Sequence, residues 1–172
     1  MGINTKKWFV TAGALTLATA LACGTDDPGE EAETCVDYSG VSGEVSFADD
    51  VIPLFQQSCT ISGSCHLSGS AAPAEGLELG LKNTDTMTEA DIDAVYNAIV
   101  NVDSKAAEMK LVKEGEPAQS FLLAKCEYSD FAVCDTVTCA PKGCGSQMPL
   151  GAPMSDARIN ILRQWIKAGA KR

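Results

Sequence analysis

Hydrophobic positions recur at helical spacing in four short stretches of the chain, and nowhere alternate at strand spacing for more than a few residues. Over residues 46–58 (SFADDVIPLFQQS), Val51, Leu54 and Phe55 share one face at i, i+3, i+4. Asp49 and Asp50 suit the positive end of that helix. Pro53 fits only in its first turn, where backbone N–H groups have no partner to lose. A second helix is predicted over 88–101, with an apolar stripe of Ile92, Val95, Tyr96 and Ile99 and a Thr88/Asp91 capping box. A third follows Pro117, from 118 to 125, and buries Phe121, Leu122 and Leu123. The fourth, 155–168, repeats Ile159, Leu162, Trp165 and Ile166, with Ser155 as N-cap and Gly169 as its stop. The pattern defines an all-α domain of short helices with long loops. Residues 59–86 are rich in Gly, Ser and Ala, and residues 126–147 hold four cysteines with little periodicity. Long loops in a compact domain need a reason. Four short helices bury little core alone, so disulfides, a cofactor or both are expected inside.

The first 45 residues follow a different pattern. Lys6 and Lys7 precede an uncharged apolar run of 15 residues, Trp8 to Ala22. That is short for a membrane-spanning helix, which needs about 20, and reads as a secretory signal over 1–22. Its end, Thr19-Ala20-Leu21-Ala22-Cys23-Gly24, is similar to a bacterial lipobox, which makes Cys23 the lipidation site; the alternative is ordinary cleavage after Ala22. Residues 24–44 carry seven acids and no base. A stretch of this kind buries too little apolar area to offset its chain entropy, so 23–45 reads as a flexible acidic linker. Cys35 within it suggests that part of the linker is pinned to the domain, which then spans 46–172. The reading places the protein outside the cytoplasm, anchored by lipid and facing the periplasm or cell exterior.

Charge and composition narrow the function. The chain has 172 residues, 13 Lys+Arg against 23 Asp+Glu, and a formal charge of −10. Removing residues 1–22 takes away two lysines and no acid, which moves the charge to −12. An acidic chain is a poor match for nucleic acid, whose phosphates call for a basic face. Eight cysteines are many for a reducing cytosol. The single histidine excludes every site that needs two imidazoles. No phosphate-binding or dinucleotide glycine motif occurs.

That histidine, His66, follows Cys65 directly, and Cys59 lies six residues before Cys65. In c-type cytochromes two cysteines attach haem covalently and the next histidine ligates the iron, with C-x-x-C-H the common spacing. Here the spacing is C-x5-C-H. The same flexible loop also suits a Cys59–Cys65 disulfide. Met148-Pro149 lies in a glycine-bounded loop before the last helix, and a methionine thioether is the usual partner of histidine on such an iron. Met154 and Met109 are the competing methionines. Cys126, Cys134, Cys139 and Cys144 have spacings that suit zinc and iron–sulfur sites poorly, so two disulfides are expected among them, with three connectivities open.

Three blocks, SFADDVIPLFQQSC…CH, LVKEGEPAQSFLLAK and MPLGAPMSDARINILRQWIKAGA, resemble the bacterial single-haem cytochrome c domains of exported lipoproteins and planctomycete-type cytochromes. Gly115, Pro117 and Ser120 carry the second block; Met148, Pro149, Trp165, Ile166, Gly169 and Ala170 carry the third. The resemblance covers about residues 46–172. It implies a cytochrome c-like fold, one haem c with thioethers at Cys59 and Cys65, His66 as proximal and Met148 as distal ligand, and Trp165 in the helix contact beside the haem. It implies an electron carrier rather than an enzyme. The acidic surface then calls for a redox partner that is basic or neutral where it docks. The alternative is a haem-free, disulfide-stapled lipoprotein module with a structural or binding role. Cysteine parity ties these expectations together. A lipidated Cys23 and two thioethers leave five cysteines, an odd number. Either Cys23 is not lipidated and pairs with Cys35, or haem attaches through Cys65 alone and Cys59 pairs with Cys35, or Cys35 stays free; a bridged Cys35 is the expectation.

Overall fold

The computed structural model describes residues 34–172. The signal segment, Cys23 and the first part of the linker lie outside the described residues. The regular structure of the described chain is mainly helical. A single wide turn, Phe47–Val51, runs into α1 (Ile52–Ser58); α2 is Glu89–Ile99, α3 is Phe121–Glu127 and α4 is Asp156–Lys167. Between them the described backbone forms only isolated bridges, among them Val100 with Val112 and Lys110 with Ser120.

Each helix starts for a local reason. The Ser46 hydroxyl accepts the Asp49 N–H at 3.1 Å, and the Asp50 carboxylate accepts the Ser46 N–H at 2.8 Å. Pro53 falls in the first turn of α1, as its missing donor requires. At α2 both halves of the capping box form: Asp91 N–H donates to Thr88 Oγ1 and Thr88 N–H to the Asp91 carboxylate. The third helix departs from the predicted start. Pro117–Gln119 makes a tight turn and α3 begins only at Phe121, because Ser120 is extended. Its buried hydroxyl accepts from Lys113 N–H at 2.9 Å and donates to the Glu116 carbonyl at 2.9 Å, which ties the turn off from the helix. At α4, Ser155 holds the N-cap place through its carbonyl, which accepts from Arg158 and Ile159, while its side chain makes no cap bond. Gly169, at φ +99°, ends that helix in a conformation a side chain would resist.

The main core lies where α4 crosses the Phe47–Val51 turn and packs against α3. Phe47 stacks on Trp165 at 5.0 Å and meets Tyr96 edge-on at 5.3 Å. Val51, Phe55, Ile99, Val112, Leu123, Leu162 and Ile166 complete it, all fully buried. Each such side chain contributes about 1.5–3 kcal/mol. A second cluster, built on Phe121, Tyr128 and Phe131, sits under the cysteine-rich loop.

The pinning of the linker that Cys35 suggested is present, and it reaches further than that one residue. Residues 34–45, the end of the segment read as flexible linker, are packed on the domain. Cys35 is bridged to Cys134, Val36 N–H donates to the Tyr128 hydroxyl at 3.0 Å, and the buried Tyr38 donates to Glu127. Gly43 lies so close to α4 that a Cβ there would stand 2.6 Å from the Gln164 side-chain oxygen. The aromatic and β-branched residues between the acids supply the apolar contact that the linker composition concealed. The cysteine pairing also differs. Cys139 bonds Cys144, and Cys134 bonds Cys35 rather than a loop neighbour, which leaves Cys126 a buried free thiol. Cys126 is the one disulfide candidate that joins no bridge. It points from α3 into the interior, while its presumed partners lie in the loop outside.

Candidate functional site

Cys59 caps the C-terminus of α1, its N–H donating to the Phe55 carbonyl at 2.7 Å. The loop that follows is pinned at both ends. Thr60 is fully buried, its hydroxyl donating to the Leu81 carbonyl at 2.7 Å. At the far end, His66 N–H returns to the Cys59 carbonyl at 3.0 Å. Residues 61–64 therefore turn outward, and the three residues beyond the common spacing are accommodated without separating His66 from Cys59. Cys59 and Cys65 are free thiols, so the disulfide alternative for this pair does not form.

The His66 ring is fixed by one hydrogen bond. Its Nδ1 lies 3.0 Å from the Leu77 carbonyl oxygen. A carbonyl only accepts, so Nδ1 is the donor, which in the neutral ring leaves the lone pair on Nε2. The backbone supports this placement, since Leu79 N–H donates to the His66 carbonyl at 2.8 Å.

His66 lines a cavity of about 710 Å3. This lies within the range of about 300–1,000 Å3 common for cofactor and small-molecule sites. Phe55 of α1 and Cys59 at its C-cap, Val95 and Ala98 of α2, and Leu122 and Cys126 of α3 form its apolar walls, with Leu77, Leu79 and Leu111 from the loops. Met148 lines the same cavity, its N–H donating to the Lys125 carbonyl at 2.6 Å. Met154 is buried in the main core and Met109 packs on the second cluster; neither lines this cavity. Of the three methionines weighed from sequence, the structure brings Met148 together with His66. Cys65 stands apart from the cavity lining, with its sulfur 3.1 Å from the Ser62 hydroxyl. Trp165 belongs to the core and does not line the cavity.

Two cavity residues escaped the sequence reading. Cys126 lies four positions after Leu122 on α3, the helical spacing that places both on the cavity side. Lys125 holds the Met148 loop: its ammonium donates to the carbonyls of Cys144, at 2.9 Å, and Ser146. It also stands 5.1 Å from the centre of the Phe131 ring. Burial lowers its pKa. Burial also pushes the Cys59 thiol up to about 12, with the neighbouring Cys65 adding to the shift. It raises Cys126 further, with Cys59 the next cause. These buried thiols are held neutral.

Among the described residues no three His, Cys, Asp or Glu side chains converge as a site for a bare metal ion. The described helices are all too short or too polar to cross a membrane. Comparison with protein-family models, curated proteins and solved structures gave no match.

Proposed function

We propose that the chain is an exported single-electron carrier, a c-type cytochrome with one haem held by His66 and Met148. The observation that carries the reading is the placing of these two side chains on one apolar cavity of cofactor size, with the His66 Nδ1 committed to the Leu77 carbonyl. A histidine ligand commonly donates its other ring N–H to a carbonyl or carboxylate, which orients it and raises its basicity.

The residues fit the group. His66 Nε2 and the Met148 thioether are the donor pair that low-spin haem iron takes in electron carriers, and the apolar walls suit a porphyrin face. Haem bound there supplies the one-electron couple. The polypeptide supplies the two ligands, excludes water and keeps the ligand set unchanged between oxidation states. Cys59 and Cys65 would hold the group covalently, as thioethers, their S–H groups supplying the sulfur and the proton. Cys59 lines the cavity, and Cys65 stands beside it, next in the chain to His66. With both ligand positions taken by side chains, the site is a carrier rather than a catalyst. The helical domain is on this reading cytochrome c-like.

On this assignment the cysteines divide as follows. Two bridges use Cys35, Cys134, Cys139 and Cys144, two thioethers use Cys59 and Cys65, and Cys23 takes the lipid anchor that tethers the exported domain to a membrane. The odd residue is then Cys126. The haem-free, disulfide-stapled module depended in part on a Cys59–Cys65 bridge, and the free state of both thiols weighs against it.

The test is a visible spectrum of the full chain matured in cells that attach haem c. The expected result is a sharp reduced α-band and colour that survives acid–acetone extraction. A colourless protein with normal helicity would return the haem-free module to first place.

A further inference from the structure

The large hydrophobic side chains most exposed among the described residues are Leu150, at 65%, and Ile61, at 64%. They are far apart in sequence, yet both line one shallow depression of about 390 Å3, with Pro149, Pro153 and Met154. Ile61 owes its position to the widened cysteine loop: its ends are pinned at Thr60 and His66, so residues 61–64 can only turn outward. Leu150 follows Met148 by two residues, as Ile61 follows Cys59. The depression therefore joins the two loops that bring Cys59 and Met148 to the cavity.

Its chemistry is specific. Arg158 is the charged residue of its lining, and its guanidinium is held by Ser58 Oγ at 3.1 Å and Gln57 Oε1 at 3.0 Å. The rest of the lining is uncharged and largely apolar, so one guanidinium, held by neutral groups, is the depression's own charge on a chain of formal charge −10. Exposed apolar side chains grouped within polar surroundings mark interaction sites. A second copy of this acidic chain would be repelled as it approached, whereas a basic surface would be drawn in from about a Debye length, 8–10 Å, and a neutral one would meet no such repulsion.

We infer that the Ile61–Leu150 depression is the face on which a redox protein docks, one with an apolar centre set in a neutral or basic surface. The nature of that partner rests on the electron-carrier reading; the face itself rests on the exposed pair. The three extra residues of the cysteine loop are, in this view, a docking finger that carries the partner to the cavity wall.

The test uses Ile61→Ser/Leu150→Ser in the full chain, with a basic soluble single-haem cytochrome c as probe. Both side chains are exposed, so the variant should keep its circular dichroism and melting behaviour. Amide NMR titration should show shifts centred on 61 and 150, and the double variant should bind about tenfold more weakly. Electron transfer to the probe should slow in proportion, while transfer to a small cobalt complex stays unchanged. Unchanged affinity in the variant overturns the docking face. So does a patch-dependent self-association, or a patch-dependent binding to phospholipid vesicles. The two readings fail separately. A colourless protein whose docking is lost in the variant keeps the face and removes the haem. A coloured protein indifferent to the variant keeps the haem and removes the face.

Discussion

The Nδ1 of His66 and the carbonyl oxygen of Leu77 stand 3.0 Å apart, joining the only imidazole of the chain to a backbone group eleven residues later. The bond fixes the tautomer, and with it the ring nitrogen left to bind a metal. His66→Ala should therefore abolish the native haem spectrum while leaving helicity intact, since the ring is only half-buried and the loop is held by backbone bonds. Met148→Ala should keep the haem but open the iron to carbon monoxide. Met154→Leu, which nearly conserves volume in the core, should cost under about 1.5 kcal/mol and leave carbon monoxide binding unchanged. Visible spectra with and without the gas separate the three. An indifferent Met148→Ala would show that another ligand holds that position.

The helices were readable because each carries its own signal: a cap, a stripe or a stop within a few residues. α2 is the clearest case, since Thr88 and Asp91 form the box that their spacing announces. The cavity was readable only in part. Adjacent Cys65 and His66 marked one wall, but the Leu77 carbonyl is a backbone group and has no sequence signature. Pairing of Cys35 with Cys134 spans 99 residues. Such a contact depends on how α3 and the N-terminal segment dock, which no local pattern encodes. Tyr38 and Tyr128 dock that segment, and neither falls on a predicted helical stripe.

Thiol counting tests the cysteine assignment directly. Haem-free protein, unfolded without reductant and alkylated, should take label at Cys59, Cys65 and Cys126 and none at Cys35, Cys134, Cys139 or Cys144. Haem-loaded protein should take label at Cys126 alone within residues 34–172. Peptide mass mapping reads both states. A labelled Cys35 in non-reduced protein would break the assignment.

Glu127 and Arg163 form an ion pair that closes α3 onto α4, with Nε to Oε1 at 2.6 Å and the carboxylate 1% exposed. Arg163 also reaches Asp156 at 2.7 Å. Removing the guanidinium leaves the buried Glu127 carboxylate without its counter-charge and with the Tyr38 hydroxyl as its remaining donor, so Arg163→Met should cost about 3 kcal/mol in urea unfolding. The double variant Glu127→Leu/Arg163→Met should recover much of that loss, because it leaves no buried charge unpaired. If the double variant is as unstable as the single, packing rather than charge is what holds this contact.

The buried thiols give the haem-free protein an alkaline limit. Burial pushes Cys59 up to about 12 from an ordinary value of 9.0 and raises Cys126 as well. Above pH 9 the unfolded chain gives up these protons while the folded chain keeps them. The unfolded state then binds fewer protons, so stability falls as pH rises from about 9 to 12 and is fully present below that window. Tyr38, raised by burial and by its bond to Glu127, acts in the same direction. Lys125 opposes it, because burial lowers its pKa and its neutral form is favoured in the fold. The thiol part is isolated by Cys59→Ala/Cys126→Ala. Between pH 8 and pH 11 the parent should lose more stability than this variant by urea unfolding, with Cys59 alone accounting for roughly 2–3 kcal/mol. Equal losses would mean that neither thiol is held neutral by the fold.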